Sequence, residues 1–186
     1  NQREIRMKLR RSFGIIICAG IAALLPGALL AADAINKADT AWMIVATGLV
    51  MLMIPGLALF YGGMVRANNV LSALMHSLFA MGVMSIQWYV IGYSLSWGSD
   101  TGLGLVGGLE YMFLNGVGME ANGSIPHTLF MMFQGMFAII TPALIAGAVV
   151  ERIKFSAWVV FIVLWGTLIY DPLCHMVWHG DGYLLN

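Results

Sequence analysis

The sequence predicts an all-α polytopic membrane protein. Of its 186 residues, 60% are hydrophobic and only 10% are charged. The apolar residues form long blocks with almost no charge inside them, and blocks of about twenty such residues are typical of helices that cross a bilayer. The formal net charge is zero, so the composition gives no indication of nucleic-acid binding. Two cysteines, Cys18 and Cys174, are too few for a metal cluster, and Cys18 lies in a segment that we expect to be removed.

The N-terminal part has the layout of a secretory signal peptide over residues 7–34. Basic residues follow Met7, and an apolar core then leads to a helix-breaking Pro-Gly pair and a small-residue segment that ends at Ala34. We expect cleavage near Ala34, and an uncleaved first anchor is the alternative. We interpret residues 1–6 as upstream sequence without a function. Residues 35–186 then form the membrane domain.

Four apolar segments follow, and each is long enough to cross the bilayer as a helix. The predicted spans are Ala41–Met64, Val70–Trp97, Leu129–Val150 and Ala157–Leu173. Glycines and prolines occur inside the first and third spans. Glycine permits close contact between helices, and neighbouring helices can satisfy the carbonyl groups that a proline frees. This pattern indicates a packed bundle, but any transporter, channel or membrane enzyme would show it.

The charges between the spans predict their orientation. Arg66 follows the first span, and Arg152 and Lys154 follow the third, whereas the glycine-rich loop between the second and third spans carries only acidic charge. Positive charge concentrates in cytoplasmic loops, so we expect the two basic loops inside and the glycine-rich loop outside. A cleaved signal peptide would place the mature N-terminus outside as well.

Polar and aromatic side chains inside the spans are the first functional candidates. Phe133 and Phe137 lie four residues apart and share one helix face, although packing or lipid contact is the plainer interpretation of the spacing. Gln134 is costly in lipid, so we expect it to face protein. An intramembrane histidine such as His76 is a functional candidate, but we expect a neutral ring bonded to a neighbouring helix. We place Asp171 at the outer end of the fourth span, where a carboxylate is generally solvated.

Trp178 follows the predicted fourth span on the outside. An interfacial aromatic belt is the plainer interpretation, because tryptophan is common at membrane interfaces. The alternative is a cation site, since an aromatic face attracts a cation by about 2 kcal/mol or more once the cation is partly desolvated. Trp178 and Phe137 both fall in the outer half of the membrane, so they could share one vestibule.

Three segments resemble the ammonium transporter family (Amt/MEP/Rh). "ADTAWMIVATGLVMLMIPGLALFYGGMVRANNVLS" is similar to the family's first span, including the "LFYGG" and "R.NNVLS" pieces. "FQGMFAIITPALIAGAVVERIKFSA" is similar to its third span and the following cytoplasmic loop, and "HMVW" to its outer segment after the fourth span. The resemblance runs from about Asp39 to the end of the chain.

The resemblance assigns roles to three aromatic residues. Phe137 is similar to the family's phenylalanine at the outer recruitment site and pore gate, Trp178 to the tryptophan that caps this site, and Phe133 to the companion aromatic residue. His175 and His179 flank Trp178 and do not match the family's paired pore histidines, which come later in the chain.

The resemblance also implies an architecture. The family forms homotrimers of eleven-span subunits, each built from two inverted five-span halves around its own hydrophobic pore. This chain corresponds to the first four spans, and we expect it to be truncated before the fifth. The segment that carries the family's structural aspartate and first pore histidine does not occur before Asn186.

The function implied is ammonium transport across the inner (plasma) membrane. The cation would be recruited at the outer aromatic vestibule, lose its proton and cross as ammonia. No enzymatic activity and no metal, nucleotide or organic cofactor are implied. The expected partners are ammonium, the bilayer, further copies in a homotrimer and a cytoplasmic PII-type regulator. Two alternatives remain at this point, a membrane ammonium sensor coupled to a signalling domain and a generic channel.

Overall fold

The computed structural model describes residues 35–185 of the chain. The predicted signal peptide and the residues ahead of it lie outside this range. Within it, four helices are long and apolar enough to cross a membrane, which confirms the predicted helical membrane fold. They are α1 (Lys37–Met64), α2 (Ala67–Trp97), α3 (His127–Val149) and α4 (Phe155–Trp178).

Most helix ends differ from the prediction by one to five residues, and two of these differences have a local explanation. α1 begins at Lys37, earlier than expected, because the Asn36 side chain accepts hydrogen bonds from backbone N–H groups of the first turn. α4 ends at Trp178 rather than at Leu173. Pro172 does not end this helix, since it lies in the first turn of the final α-helical segment, where a missing N–H costs little.

α2 and α4 each contain a π-helical turn that divides the helix. In α2 a 3₁₀ turn at Ala67–Asn69 precedes the α-helical segments Val70–Gln87 and Tyr93–Trp97, and the π-turn Trp88–Gly92 lies between them. In α4 the π-turn Gly166–Tyr170 separates Phe155–Trp165 from Asp171–Trp178. The two π-turns contact each other. Single π-turns are frequent at functional sites, and Tyr170 of the second π-turn lines the cavity described below.

The long loop between α2 and α3 is ordered by short-range pairing. Asp100 and Gly107 form an isolated antiparallel bridge, and a 3₁₀ turn covers Met112–Leu114. Strands β1 (Ala121–Asn122) and β2 (Ile125–Pro126) then form a minimal antiparallel hairpin that leads directly into α3.

Contacts at the two ends of the bundle show which end each connection between the helices occupies. At one end, Arg66 after α1 lies 3.2 Å from the carboxylate of Glu151 after α3. At the opposite end, the backbone N–H of Asn36 donates to the carbonyl of Ser124 in the long loop at 2.8 Å. The two basic connections therefore share one end of the bundle, and the acidic glycine-rich loop lies at the other.

Small residues let the helices approach closely. A Cβ atom on Gly135 of α3 would lie 2.9 Å from the Trp88 ring of α2, so only glycine fits there without a shift. The Trp88 indole N–H then donates to the Met131 carbonyl at 3.2 Å. The core between the helices is apolar, with these fully or nearly fully buried members: Ile54, Ala80, Met84, Ile139, Ile140, Ala143, Ala146, Trp158 and Ile162.

Candidate functional site

A cavity of about 640 Å³ lies between α3 and α4, in the half of the bundle nearer the long loop. Its lining is largely aromatic and aliphatic. The lining residues are Phe133, Gln134, Phe137, Thr141, Trp165, Tyr170, Leu173, Cys174, Val177 and Trp178.

All three predicted site residues line this one cavity. The Phe133 and Phe137 rings meet edge to face, with centroids 5.1 Å apart. Trp178 forms the rim, where 68% of its surface is exposed. It is the last residue of α4 instead of a residue beyond the span, so its backbone is held by the helix. The structure thus brings the three residues together, and their role in binding stays a prediction.

Two stripes of side chains explain why these residues converge. α3 contributes Phe133, Phe137 and Thr141, and α4 contributes Tyr170, Cys174 and Trp178, each set spaced by four residues along its helix. Side chains at this spacing share one helix face. Sequence reasoning found the first two members of the α3 stripe and the last member of the α4 stripe. The same spacing, continued along each helix, would have found the others.

The polar atoms of the cavity are few. The Thr141 hydroxyl donates to the carbonyl of Phe137 at 2.7 Å, so its hydrogen is already used within α3. Gln134 is half-buried and lines the cavity, so it faces this space rather than open lipid. The thiol of Cys174 is free and buried. Such a site offers ring faces and a few oxygen atoms to a small ligand, and mostly apolar contacts otherwise.

Asp171 is a polar residue whose position was predicted wrongly. We expected a solvated carboxylate at the membrane interface, but Asp171 is fully buried inside α4. Its Oδ2 accepts a hydrogen bond from the Gln87 amide at 2.6 Å, and the hydroxyl of Ser96 approaches Oδ1 at 3.5 Å. The Gln87 amide also donates to Thr167. This network joins α2 to α4 immediately behind the wall of the cavity.

The surroundings of His76 also differ from the prediction. We expected a hydrogen bond from its ring to a neighbouring helix, but Nδ1 lies 2.6 Å from the carbonyl of Ser72 in its own helix. The neighbouring α4 instead packs Phe155 and Trp158 against the ring. The Trp158 indole donates to the backbone carbonyl of His76 at 3.1 Å. His76 lies at the end of the bundle opposite Trp178 and is not part of the cavity.

Comparison with known proteins identifies the family of the chain. The model of the Ammonium Transporter Family matches residues 41–186. The ammonium transporter of Bacillus subtilis (strain 168) is 49% identical over 145 residues, which cover 76% of this chain and 35% of that protein.

Solved structures show the same relationship in three dimensions. The crystal structure of Candida albicans Mep2 superposes with a TM-score of 0.73 at 36% identity, over 81% of this chain and 33% of that one. A structure described as a sensor Amt protein superposes with a TM-score of 0.69 at 25% identity, over 74% of this chain and 33% of that one. The chain spans about a third of the length of these relatives. On the match of the family model and of these relatives, the chain belongs to the ammonium transporter family.

Proposed function

We propose that the chain forms part of an ammonium transporter and that the cavity between α3 and α4 is its recruitment site for the cation. The observation that carries this proposal is the convergence of Phe133, Phe137 and Trp178 on a single, largely apolar cavity. Ring faces attract cations, and the attraction increases as the cation loses water. A site of this kind favours a weakly hydrated ion such as ammonium over small, strongly hydrated ions.

Conduction then requires loss of a proton. A bare cation at the centre of a bilayer is very costly, so the ion leaves its proton near the recruitment site and crosses as ammonia. Phe137 lies deeper in α3 than Phe133 and gates entry from the cavity. The pore below the gate, with its histidines, belongs to the part of the family fold that this chain does not cover. We assign the chain no enzymatic step and no cofactor.

Orientation and assembly follow as proposals. The end with Arg66, Arg152 and Lys154 faces the cytoplasm, which the positive-inside rule supports, and the cavity with the mature N-terminus faces outward. The complete protein is a homotrimer in the inner membrane, and a PII-type regulator binds its cytoplasmic face. The signal peptide of residues 7–34 is cleaved near Ala34.

Substitution of Trp178 tests the recruitment role in the full-length transporter. Trp178→Leu removes the ring at the rim, so we expect the apparent KM for ammonium to rise by about tenfold and discrimination against other small cations to weaken. Trp178→Phe retains an aromatic face and should show a smaller change. Uptake of methylammonium with ammonium as competitor provides the measurement.

A matched control uses a second exposed tryptophan at the same end of the bundle. Trp42 lies near the start of α1, is 70% exposed and does not line the cavity. Trp42→Leu makes the same change to the membrane interface and should leave KM unaltered. Unchanged affinity and selectivity in a well-folded Trp178→Leu protein would contradict the recruitment role.

A sensor remains the second candidate, because one of the structural relatives is described as a sensor Amt protein. In a sensor the same cavity binds ammonium, and the membrane domain is coupled to a signalling domain. The uptake assay distinguishes the two functions. A sensor without transport would bind ammonium with the same dependence on Trp178 but accumulate no methylammonium.

A further inference from the structure

His175 lies one turn before Trp178 on α4 and is fully buried. Its Nδ1 is 3.2 Å from the backbone carbonyl oxygen of Ser96 at the end of α2. Its Nε2 is 3.4 Å from Oδ1 of Asp100 in the long loop, an ion-pair distance. The ring therefore lies between two oxygen atoms that belong to different parts of the chain.

Both of these oxygen atoms can only accept hydrogen bonds. A carbonyl and an ionised carboxylate have no hydrogen to donate, and a neutral imidazole carries only one N–H. Neutral His175 would thus direct a lone pair at either Ser96 or Asp100. The imidazolium form carries an N–H on both nitrogens and places its charge 3.4 Å from the carboxylate, an ion-pair contact in which Nε2 makes no hydrogen bond.

Asp100 is suited to be the anionic partner. Partial burial raises the pKa of its carboxyl, but hydrogen bonds from the backbone N–H groups of Gly102 and Gly104 and the contact with His175 outweigh this effect. The net result is a pKa below the ordinary aspartate value, so the carboxylate is charged throughout the range in which histidines titrate.

Other titratable groups surround the pair. The His179 ring stacks on His175 with centroids 4.4 Å apart, and Nδ1 of His179 lies 4.0 Å from a carboxylate oxygen of Asp181. Glu110, in the long loop, interacts electrostatically with His179. Asp171 lies one turn earlier on α4. Acidic side chains thus outnumber the two histidines in this part of the molecule.

The Asp100 loop is also attached to the segment that follows α4. Its carboxylate accepts hydrogen bonds from the N–H groups of Gly102 and Gly104 at 2.5 and 2.7 Å. The Gly104 carbonyl in turn accepts a hydrogen bond from the N–H of Tyr183 at 2.9 Å. The loop is therefore attached to the chain both before and after Trp178.

We propose that His175 and Asp100 form a proton-dependent clasp that holds the last turn of α4, and with it Trp178, at the rim of the cavity. The clasp closes when His175 is protonated and opens as the outer pH rises and the proton leaves. Its effect on substrate rests on the proposed function, because Trp178 acts on a cation only if the cavity recruits one. His175 and Asp100 are positioning residues, which do not line the cavity themselves.

Hydrogen exchange in the full-length protein tests the clasp without any substrate. Amide exchange of residues 100–107 and 179–184 is measured between about pH 5 and 8, the range in which histidine changes charge, after correction for intrinsic rates. We expect protection to fall as the pH rises. Asp100→Asn should remove this pH dependence, since the neutral amide keeps one oxygen as an acceptor for a glycine N–H group but no longer stabilises the imidazolium.

Transport measurements then test the positioning role. Across the same pH range, the apparent KM of the wild type for methylammonium should rise by up to about tenfold, the size of one weakened charge interaction, while kcat is unchanged. Asp100→Asn should show the higher KM at every pH. Asp181→Asn provides the matched control, because Asp181 is an exposed carboxylate on the same surface that contacts His179 instead of His175.

Each result decides a separate point. Exchange that does not depend on pH in the wild type overturns the clasp, and this measurement needs no variant to fold. Exchange that depends on pH with a constant KM overturns the positioning of Trp178. If Trp178→Leu leaves the ammonium affinity unchanged, the proposed recruitment site is wrong. The clasp is then still tested separately, by the pH dependence of hydrogen exchange.

Discussion

A carboxyl group inside a membrane-spanning helix needs hydrogen-bonding partners, and at the scale of single residues Asp171 shows how the bundle supplies them. Gln87 donates to it from α2, and Ser96 approaches it from the last turn of the same helix. A buried polar group without a partner is destabilising, so these contacts allow the carboxyl to remain behind the apolar wall of the cavity. Asp171 thereby fixes α4, whose neighbouring residues Tyr170 and Cys174 face the cavity.

Asp171→Leu should lower the stability of the full-length protein by about 1–3 kcal/mol, because it leaves the Gln87 amide buried with an unused hydrogen. Asp171→Asn retains an oxygen of the same shape at the same place, so we expect a much smaller loss. Thermal unfolding in detergent measures both variants. Equal losses would contradict the hydrogen-bond explanation and would show that the acid itself is required.

At the scale of the elements, one carboxylate joins the two basic connections of the bundle. Glu151 accepts hydrogen bonds from the amide of Asn69 at 2.7 Å and from the guanidinium of Arg66 at 3.2 Å. Glu151 adopts a backbone φ of 68°, a conformation that is unfavourable for a residue with a side chain. The two hydrogen bonds offset this strain and couple the α1–α2 connection to the α3–α4 connection.

The pH dependence of this coupling follows from the pKa of the Glu151 carboxyl. The hydrogen bonds from Asn69 and Arg66 lower the pKa of Glu151 from 4.5 to about 2. A lowered pKa means that the stabilisation is complete above pH 4.5 and is lost as the pH falls toward 2. Glu151→Gln should therefore melt a few degrees below the wild type at pH 7, and the difference should shrink steadily on acidification. A difference that stays constant with pH would show that the charge of Glu151 does not contribute.

The elements also show which features a sequence can predict. The four spans follow from apolar blocks, and the pairing of Phe133 with Phe137 follows from helical spacing, because both depend on residues close in the chain. Contacts between distant residues were not predictable in this way. Gln87 and Asp171 are 84 residues apart, and only the packing of α2 on α4 shows that the carboxyl is buried. The position of Trp178 at the rim of the cavity likewise depends on where α4 ends.

At the scale of the whole molecule, the described bundle leaves much apolar surface uncovered. Large side chains along α1 are more than half exposed, among them Leu49, Leu52, Leu59 and Phe60. Lipid can cover such side chains, and so can further helices of the family fold. The cavity also presents uncovered apolar surface, since Trp178 at its rim is largely exposed. The cavity that we propose as the recruitment site is lined by α3 and α4 alone, and we expect a continuous path across the membrane to depend on further helices of the family fold.

Expressed alone, residues 35–186 should not transport ammonium. Buried polar atoms such as Nε2 of His76 and Oε1 of Gln87 have no hydrogen-bond partner among the described residues, and unsatisfied groups of this kind weaken a bundle in lipid. In the proposed function the cavity collects a cation, but recruitment without a path beneath it gives no flux. The fragment is reconstituted in liposomes, and internal pH is followed after an ammonium pulse beside empty liposomes and liposomes with the full-length protein. A saturable signal that depends on the fragment would show that four helices suffice for conduction and that the pore needs no further spans.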